Sequence, residues 1–392
     1  MGFIWPTSSL YSVLVLFVKK KNGSLRLCVD FYGLNCISKK DRYPLPLISD
    51  LLDLSRKAQV YSKINLCHAY YLVHIVDDDE WKTAFRTYHR SFEWSVISFS
   101  LTNTPVVFQQ FMNNIFSDLL DVCVMIYLDN ILIYSNNMSE HHWHVKEVFK
   151  HHCKAGLYAK AEKCKFHSKS VEYLGYILSP SSLTMSNNKV KIIQDWLEPK
   201  KVKDIQSFLG FTNFYCQFIF NYSDIIIPLT CLTQKNISWK FDFSRQDAFN
   251  SLKKAFISTL ILTHWIHNTQ LIMKTNASDY ALAAIFSIVN EDNEVHLVTF
   301  HSHTFTMAEL NYNTYDKELL AIFEAFKIWW HYLEGPAYPI NIVTDYKNLE
   351  YFSTTKVLTQ RQAWWSEYLF QFNLVIRFHS GYLSTKLDAL TR

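Results

Sequence analysis

Glycine is scarce in this chain, 8 among 392 residues, or about 2% against a usual share of roughly 7%. Its 8 cysteines include no C-x-x-C pair and no His/Cys spacing that suits zinc. That excludes a zinc module and reads as reduced thiols in an intracellular protein, in the cytoplasm or nucleus and not secreted. Long apolar runs are missing too. In "MGFIWPTSSLYSVLVLFVKKK" the two apolar pieces are split by Pro6-Thr7-Ser8-Ser9, and no basic segment precedes them. The run from Leu10 to Val18 is too short to span a bilayer, so a buried strand is expected there and no membrane partner. Charge of one sign is not in excess. A net charge of +4 permits a nucleic-acid partner without demanding one. There is no internal repeat and no low-complexity linker.

What remains is a globular composition, 49% hydrophobic, on a chain long enough for about two or three domains. "VLVLFVKKKNGSLRLCVDF" is two apolar-rich runs around Asn22-Gly23 and predicts a hairpin. "YPLPLISDLLDL" sets prolines ahead of an amphipathic helix. "YSKINLCHAYYLVHI" reads as strand, and "TPVVFQQFMNNIFSDLL" has helical spacing. "VMIYLDNILIYS" places two apolar runs around Asp129-Asn130, a second hairpin. Phe208, Phe211, Tyr215 and Phe218 share one helical stripe, read as core. From about Gln270 the pattern becomes a strand, a second strand near "EVHLVTF", and a long helix "DKELLAIFEAFKIWWHYLEG" stopped by Gly335. "YPINIVTD" follows as a strand ending on Asp345, then another helix. This alternation predicts a separate α/β domain.

Three features carry chemistry. Asp129 at the hairpin turn reads, alone, as an ordinary turn residue, since Asp and Asn are favoured there. Lys19, Lys20, Lys21 and Arg26 around the first hairpin are either a solvated charged turn or a phosphate clamp. Glu318, Asp345 and Asp388 are scattered surface acids or a set converging on divalent cations.

Together they resemble one family. "VKKKNGSLRLCVDFYGLN", "RYPLPLISDLLD", "EWKTAFRT", "LTNTPVVFQQFMN", "YLDNILIYS", "GLYAKAEKCKF", "EYLGYILSP" and "IQSFLGFTNFY" occur in the order seen in reverse transcriptases of gypsy-type long-terminal-repeat retroelements. "TNASDYALAAI", "AELNYNTYDKELLAI", "VTDYKNLEYF" and "LDALTR" resemble the RNase H domain that follows in the same polyprotein. The resemblance runs over essentially the whole chain. It implies an α+β right-hand polymerase (fingers, palm, thumb) followed by an RNase H-like α/β domain. The implied parts are fingers and palm at 1–180, a thumb- or connection-like helical segment at 181–264, and the RNase H-like domain at 265–392. It further implies Mg²⁺ in two-metal sites, an RNA/DNA template–primer duplex as partner, and dNTP as substrate. In the family's frame the chain begins inside the fingers, and no protease or integrase motif is present.

The same resemblance assigns residues and exposes departures. The family holds two cations at its polymerase centre with one aspartate of an S-K-x-D-like strand and two of Y-x-D-D. Here these positions are Asn65, Asp129 and Asn130. Two negative charges are therefore missing opposite two dications, a loss on the order of several kcal/mol. In the RNase H-like part the acid of T-D-A-S is Asn276, while Glu318, Asp345 and Asp388 match the other acids. Asp279, three residues on, is not expected to substitute. Tyr70 matches the aromatic that blocks a ribose 2′-hydroxyl. Arg26 with a hairpin lysine, Lys19 or Lys20, matches triphosphate contacts, and Leu174, Gly175 and Tyr176 match the hairpin gripping the primer end.

Asp to Asn is a single G-to-A transition, and the other departures fit C-to-T or G-to-A as well. Ser100 stands where glycine is usual, Ser98 where proline is usual, Trp330 and Cys216 where arginine is usual, and Lys274 where glutamate is usual. The missing glycines agree. Cytosine deamination on both strands of a repeated element, followed by loss of function, is the expected history; selected loss of catalysis in a domesticated protein is the alternative. Coding DNA separates them. The expected product is a degenerate reverse transcriptase, with a non-catalytic nucleic-acid binder or a non-functional remnant as the other readings.

Overall fold

The computed structural model describes residues 2–19, 23–67, 69–235, 237–258, 261–290, 292–354 and 358–379. The chain divides into two compact units, Met1–Leu174 and Gly175–Arg392.

The first unit opens with strands Ile4–Pro6 (β1), Val13–Lys19 (β2) and Leu25–Val29 (β3), then helices Tyr32–Ile37 (α1) and Ile48–Leu54 (α2). Strands Val60–Asn65 (β4), Phe85–Arg86 (β5) and Ser91–Trp94 (β6) precede helix Thr104–Ile115 (α3). The hairpin of Val124–Tyr127 (β7) and Asn130–Ser135 (β8) follows, then helix Met138–Lys154 (α4) and strands Lys165–Ser168 (β9) and Val171–Tyr173 (β10). One sheet has the order β1-β6-β5-β2-β3, the other β7-β8-β4-β9. The expected first hairpin is present, with Lys19 opposite Leu25 and Gly23 at φ +80°, a conformation open to glycine at little strain. Lys20 and Lys21 lie outside the described residues.

The β7–β8 pair is apolar on both faces because both are covered. Ile64, Ile126, Ile131 and Ile133 form one core with Phe108, Met112 and Phe116 of α3 and its C-terminal end, and with Val145 and Val148 of α4. Pro105 in the first turn of α3 starts that helix without losing a needed N–H. Asn137 caps α4 by accepting from the Glu140 N–H at 2.9 Å. The strand expected across "YSKINLCHAYYLVHI" ends at Asn65; Ala69–Leu72 is a 3-10 turn instead. Its aromatics pack sideways: Tyr70 lies against Phe108, ring centroids 4.8 Å apart.

The second unit begins with the antiparallel pair Tyr176–Ser179 (β11) and Ser182–Met185 (β12). Helices Asn187–Gln194 (α5), Val202–Asn213 (α6), Tyr222–Cys231 (α7) and Phe243–Ile257 (α8) follow. Phe208 on α6, and Tyr215 and Phe218 just past its end, are buried as core. Then come strands Gln270–Ala277 (β13), Ala281–Val289 (β14) and Val295–Thr304 (β15), and helices Met307–Leu310 (α9), Thr314–Ile328 (α10) and Trp330–Leu333 (α11). Strand Ile340–Thr344 (β16), helix Gln360–Leu369 (α12) and strand Leu374–Phe378 (β17) complete it. The sheet order is β15-β14-β13-β16-β17. β13, β14 and β15 run antiparallel, and β16 and β17 are parallel to β13. β14, which the periodicity did not separate from its neighbours, is buried along all but its last residue. It therefore reads as a continuous apolar run with no alternation to mark it. The long helix breaks at Trp329 into α10 and α11, and Gly335 follows at φ +63°.

Candidate functional site

The β7–β8 hairpin turns on only two residues, Leu128-Asp129, with Tyr127 paired to Asn130. Leu128 has φ +53°, a left-handed conformation that strains a side chain with a Cβ. Gln109, fully buried on α3, holds it: its Oε1 accepts from the Leu128 N–H at 2.8 Å, and its Nε2 donates to the Ile126 carbonyl at 3.1 Å. Across the turn, Leu66 N–H donates to the Asp129 carbonyl at 3.0 Å. The turn is thereby fixed against the end of β4.

That register puts Asn65 directly opposite Asn130. Asn65 Nδ2 donates to Asn130 Oδ1 at 3.0 Å, and Asn130 Nδ2 donates to Asp129 Oδ1 at 3.1 Å. The three side chains form one hydrogen-bonded row. Each amide proton spent within it points at an oxygen that a cation would need. As arranged, the row is satisfied by itself and does not fit a pair of divalent cations.

Beside the row lies a cleft of about 510 Å³, lined among others by Arg26, Tyr70, Tyr71, Phe99 and Asp129. Arg26 lies 5.4 Å from the centre of the Phe99 ring. Burial, and then the negative charge of Asp129, raises the ionisation of the Tyr70 hydroxyl above its ordinary range, so the phenol stays neutral. Arg26 and Tyr70 thus share one cavity with Asp129. Lys19 is exposed on the hairpin and does not line it; Lys20 is outside the described residues. Tyr71 and Phe99 had no motif to mark them, and Gln109, inside "LTNTPVVFQQFMN", had no role assigned to it.

Leu174 (φ +50°) and Gly175 (φ +92°) turn the chain between β10 and β11. A Cβ on Gly175 would lie 2.5 Å from the Tyr215 hydroxyl, so glycine is required there on both counts. The Tyr176 side chain is 2% exposed and packs on Phe214, Tyr215 and Phe218.

In the second unit, Thr275 pairs with Thr344 on the neighbouring parallel strand. Asn276, the next-to-last residue of β13, and Asp345, just past β16, therefore sit at the same end of these two neighbouring strands. Glu318 on α10 reaches the same place: its Oε1 accepts from the Ala277 N–H at 3.0 Å, and its Oε2 is buried with no hydrogen-bond partner. Burial first, then the Asp345 carboxylate, pushes Glu318 up to about 8. An orphaned carboxylate oxygen facing a second acid fits a divalent cation, which would relieve both effects. Asp388 lies outside the described residues. Asp279 is exposed, with its carbonyl accepting from Lys317 Nζ at 3.2 Å. Among the described residues, no group of three or more His, Cys, Asp or Glu side chains could hold a metal ion, and no helix is long and apolar enough to cross a membrane.

An acid and two amides thus meet at a two-residue turn beside a cleft, and two acids meet at the shared end of neighbouring inner strands of a mixed five-stranded sheet. Residues 18–178 match the family described as reverse transcriptase (RNA-dependent DNA polymerase). Residues 267–372 match that described as RNase H-like domain found in reverse transcriptase. The chain thus carries a reverse transcriptase domain followed by an RNase H-like one. Its relatives are retrotransposon polyproteins of the Ty3/gypsy type. It is 34% identical over 393 aligned residues to the Transposon Tf2-7 and Tf2-3 polyproteins of Schizosaccharomyces pombe (strain 972 / ATCC 24843), across 100% of this chain. The chain spans 30% of the length of these relatives.

Among solved structures, a foamy viral protease-reverse transcriptase dRH in complex with double-stranded DNA matches with TM-score 0.82 and 22% identity, over 96% of this chain and 67% of that one. A foamy viral protease-reverse transcriptase in complex with double-stranded DNA matches with TM-score 0.79 and 22% identity, over 97% and 80%. The fold is the α+β right-hand polymerase followed by an RNase H-like α/β domain. Both families use divalent metal ions.

Proposed function

We propose that this chain is a retroelement-derived reverse transcriptase with an RNase H domain whose polymerase centre does not synthesise DNA. The carrying observation is the row Asn65–Asn130–Asp129, in which amides occupy each other and the one carboxylate. Catalysis by two cations needs anionic oxygens to hold them; one carboxylate, already accepting from Asn130, leaves two charges uncompensated. Within this reading Asn65, Asp129 and Asn130 form the polymerase centre, Arg26 and Tyr70 line the nucleotide cleft, a hairpin lysine, Lys19 or Lys20, contacts the triphosphate from outside that lining, and residues 174–176 contact the primer. Asn276, Glu318, Asp345 and Asp388 form the nuclease centre. There Glu318 and Asp345 would hold Mg²⁺, which supplies charge neutralisation and an activated water when bound. Glu318 keeps its orphaned oxygen available for that cation, and the neutral Asn276 weakens the site. The fingers and palm are taken as 1–180, the thumb- or connection-like segment as 181–264 and the RNase H-like domain as 265–392. The reduced cysteines support an intracellular place, cytoplasm or nucleus.

Phosphate contacts by the hairpin cations do not depend on the catalytic metals, so template–primer duplex remains the partner and dNTP the nucleotide ligand of this reading. The purified chain tests it on a labelled RNA template–DNA primer with Mg²⁺ or Mn²⁺. The expected result is duplex binding that weakens steeply between low and physiological salt, with no primer extension above a no-protein control. Extension by the unmodified chain, or binding flat in salt, would overturn it. Asn276→Asp is expected to return Mg²⁺-dependent cutting of the RNA strand in a hybrid. If the unmodified chain cuts equally well, Asn276 is not the disabling change.

A further inference from the structure

Helix α4 carries the run His141-His142-Trp143-His144, which neither centre uses. His141 is fully buried. Its Nε2 lies 2.7 Å from Ser62 Oγ on β4, and its Nδ1 lies 2.8 Å from Ser135 Oγ on β8. It therefore ties α4 to the two strands that carry Asn65 and Asn130. Each serine has a second partner. Ser135 Oγ is 2.6 Å from His144 Nδ1, and Ser62 Oγ accepts from the His167 N–H at 3.0 Å.

One proton arrangement satisfies every atom of this chain of bonds. His167 N–H donates to Ser62, Ser62 O–H to His141 Nε2, His141 Nδ1–H to Ser135, and Ser135 O–H to His144 Nδ1. It requires both histidines to be neutral. A proton added at His141 Nε2 strands the Ser62 hydroxyl; one added at His144 Nδ1 strands that of Ser135. A charge on His141 would also be buried against other imidazoles. The titratable groups facing His141 are His142 and His144 on α4 itself and His167 on β9, whose ring centroid is 5.3 Å away. β4 and β8 present hydroxyls to it. Glu140 acts on His144 only, and against burial.

We propose that His141, Ser62, Ser135, His144 and His167 form an acid-sensitive clasp that releases α4 from the sheet bearing the Asp129 turn when protons are taken up. Burial, then His167, His144 and His142, pulls His141 down to about 4 from an ordinary 6.5. A depressed histidine contributes its stability fully above the unfolded value, near 6.5, and loses it as pH falls toward 4. Opening would loosen the hydrophobic contacts of Val145 and Val148 with the sheet, and with them the support behind the cleft.

The test follows the full chain between pH 7.5 and pH 5 by thermal melting and by hydrogen exchange of residues 138–154, corrected for intrinsic exchange rates. His141→Gln keeps a donor and an acceptor toward the two serines but does not titrate. His167→Gln removes the facing imidazole at an exposed position. The wild type is expected to lose roughly 5 °C more than His141→Gln over this range, and its α4 amides at least tenfold more protection. His167→Gln is expected to fall between them. Equal losses in all three proteins would overturn the clasp. Should His141→Gln fail to fold, His167→Gln decides alone: a loss equal to that of the wild type overturns it, a smaller one supports it.

Discussion

Glu318 is the residue under most electrostatic load. Its ionisation sits near 8 because it is buried beside Asp345. A carboxyl with a raised folded value keeps its proton in the native state while the unfolded chain gives it up. Folding is therefore unpenalised below about 4.5 and loses stability as pH rises from there to 8, by several kcal/mol in order of magnitude. Glu318→Gln, melted in EDTA, should exceed the wild type at pH 8.5 and match it near pH 4.5. A variant no more stable than the wild type at pH 8.5 would show that Glu318 carries no such strain. Asn65, Asp129, Asn130, Asn276, Glu318 and Asp345 could be named as candidates from the sequence because each sits inside a motif. The environment of Glu318 was not legible there, since it depends on α10 crossing over β13 and on the register that brings Thr344 beside Thr275.

At the scale of elements, the β7–β8 hairpin shows where local pattern sufficed. Two apolar runs around Asp129-Asn130 defined both strands and the turn. What periodicity could not show is that the turn holds a leucine at positive φ, kept there by Gln109 from α3, 19 residues away in sequence. Gln109→Ala leaves the Leu128 N–H and the Asn113 side chain without that partner. Thermal or chemical unfolding should show a loss of about 1–3 kcal/mol. Gln109→Met, which keeps the volume but neither hydrogen bond, should lose nearly as much; a Met variant as stable as the wild type would mean the side chain matters only as packing. β14 escaped the sequence for the opposite reason: with both faces covered, its alternation is erased. The strand expected beyond Asn65 failed because aromatic content favours strands in general, whereas here Tyr70 and Tyr71 are wanted on the cleft wall.

For the whole molecule, the reverse-transcriptase fold is kept, and on the proposed reading amides replace acids at Asn65 and Asn130 of the polymerase centre. Such a replacement removes like-charge repulsion and need not harm folding, so stability and activity part company. The most direct measurement is primer extension on a primed RNA template by four purified proteins: the unmodified chain, Asn65→Asp, Asn130→Asp and the double variant, each checked for a cooperative melt. Carboxylates that hold one metal pair act as a unit, so neither single change should suffice. The account predicts extension by the double variant alone. Extension by the unmodified chain, or a folded double variant that remains silent, would contradict it.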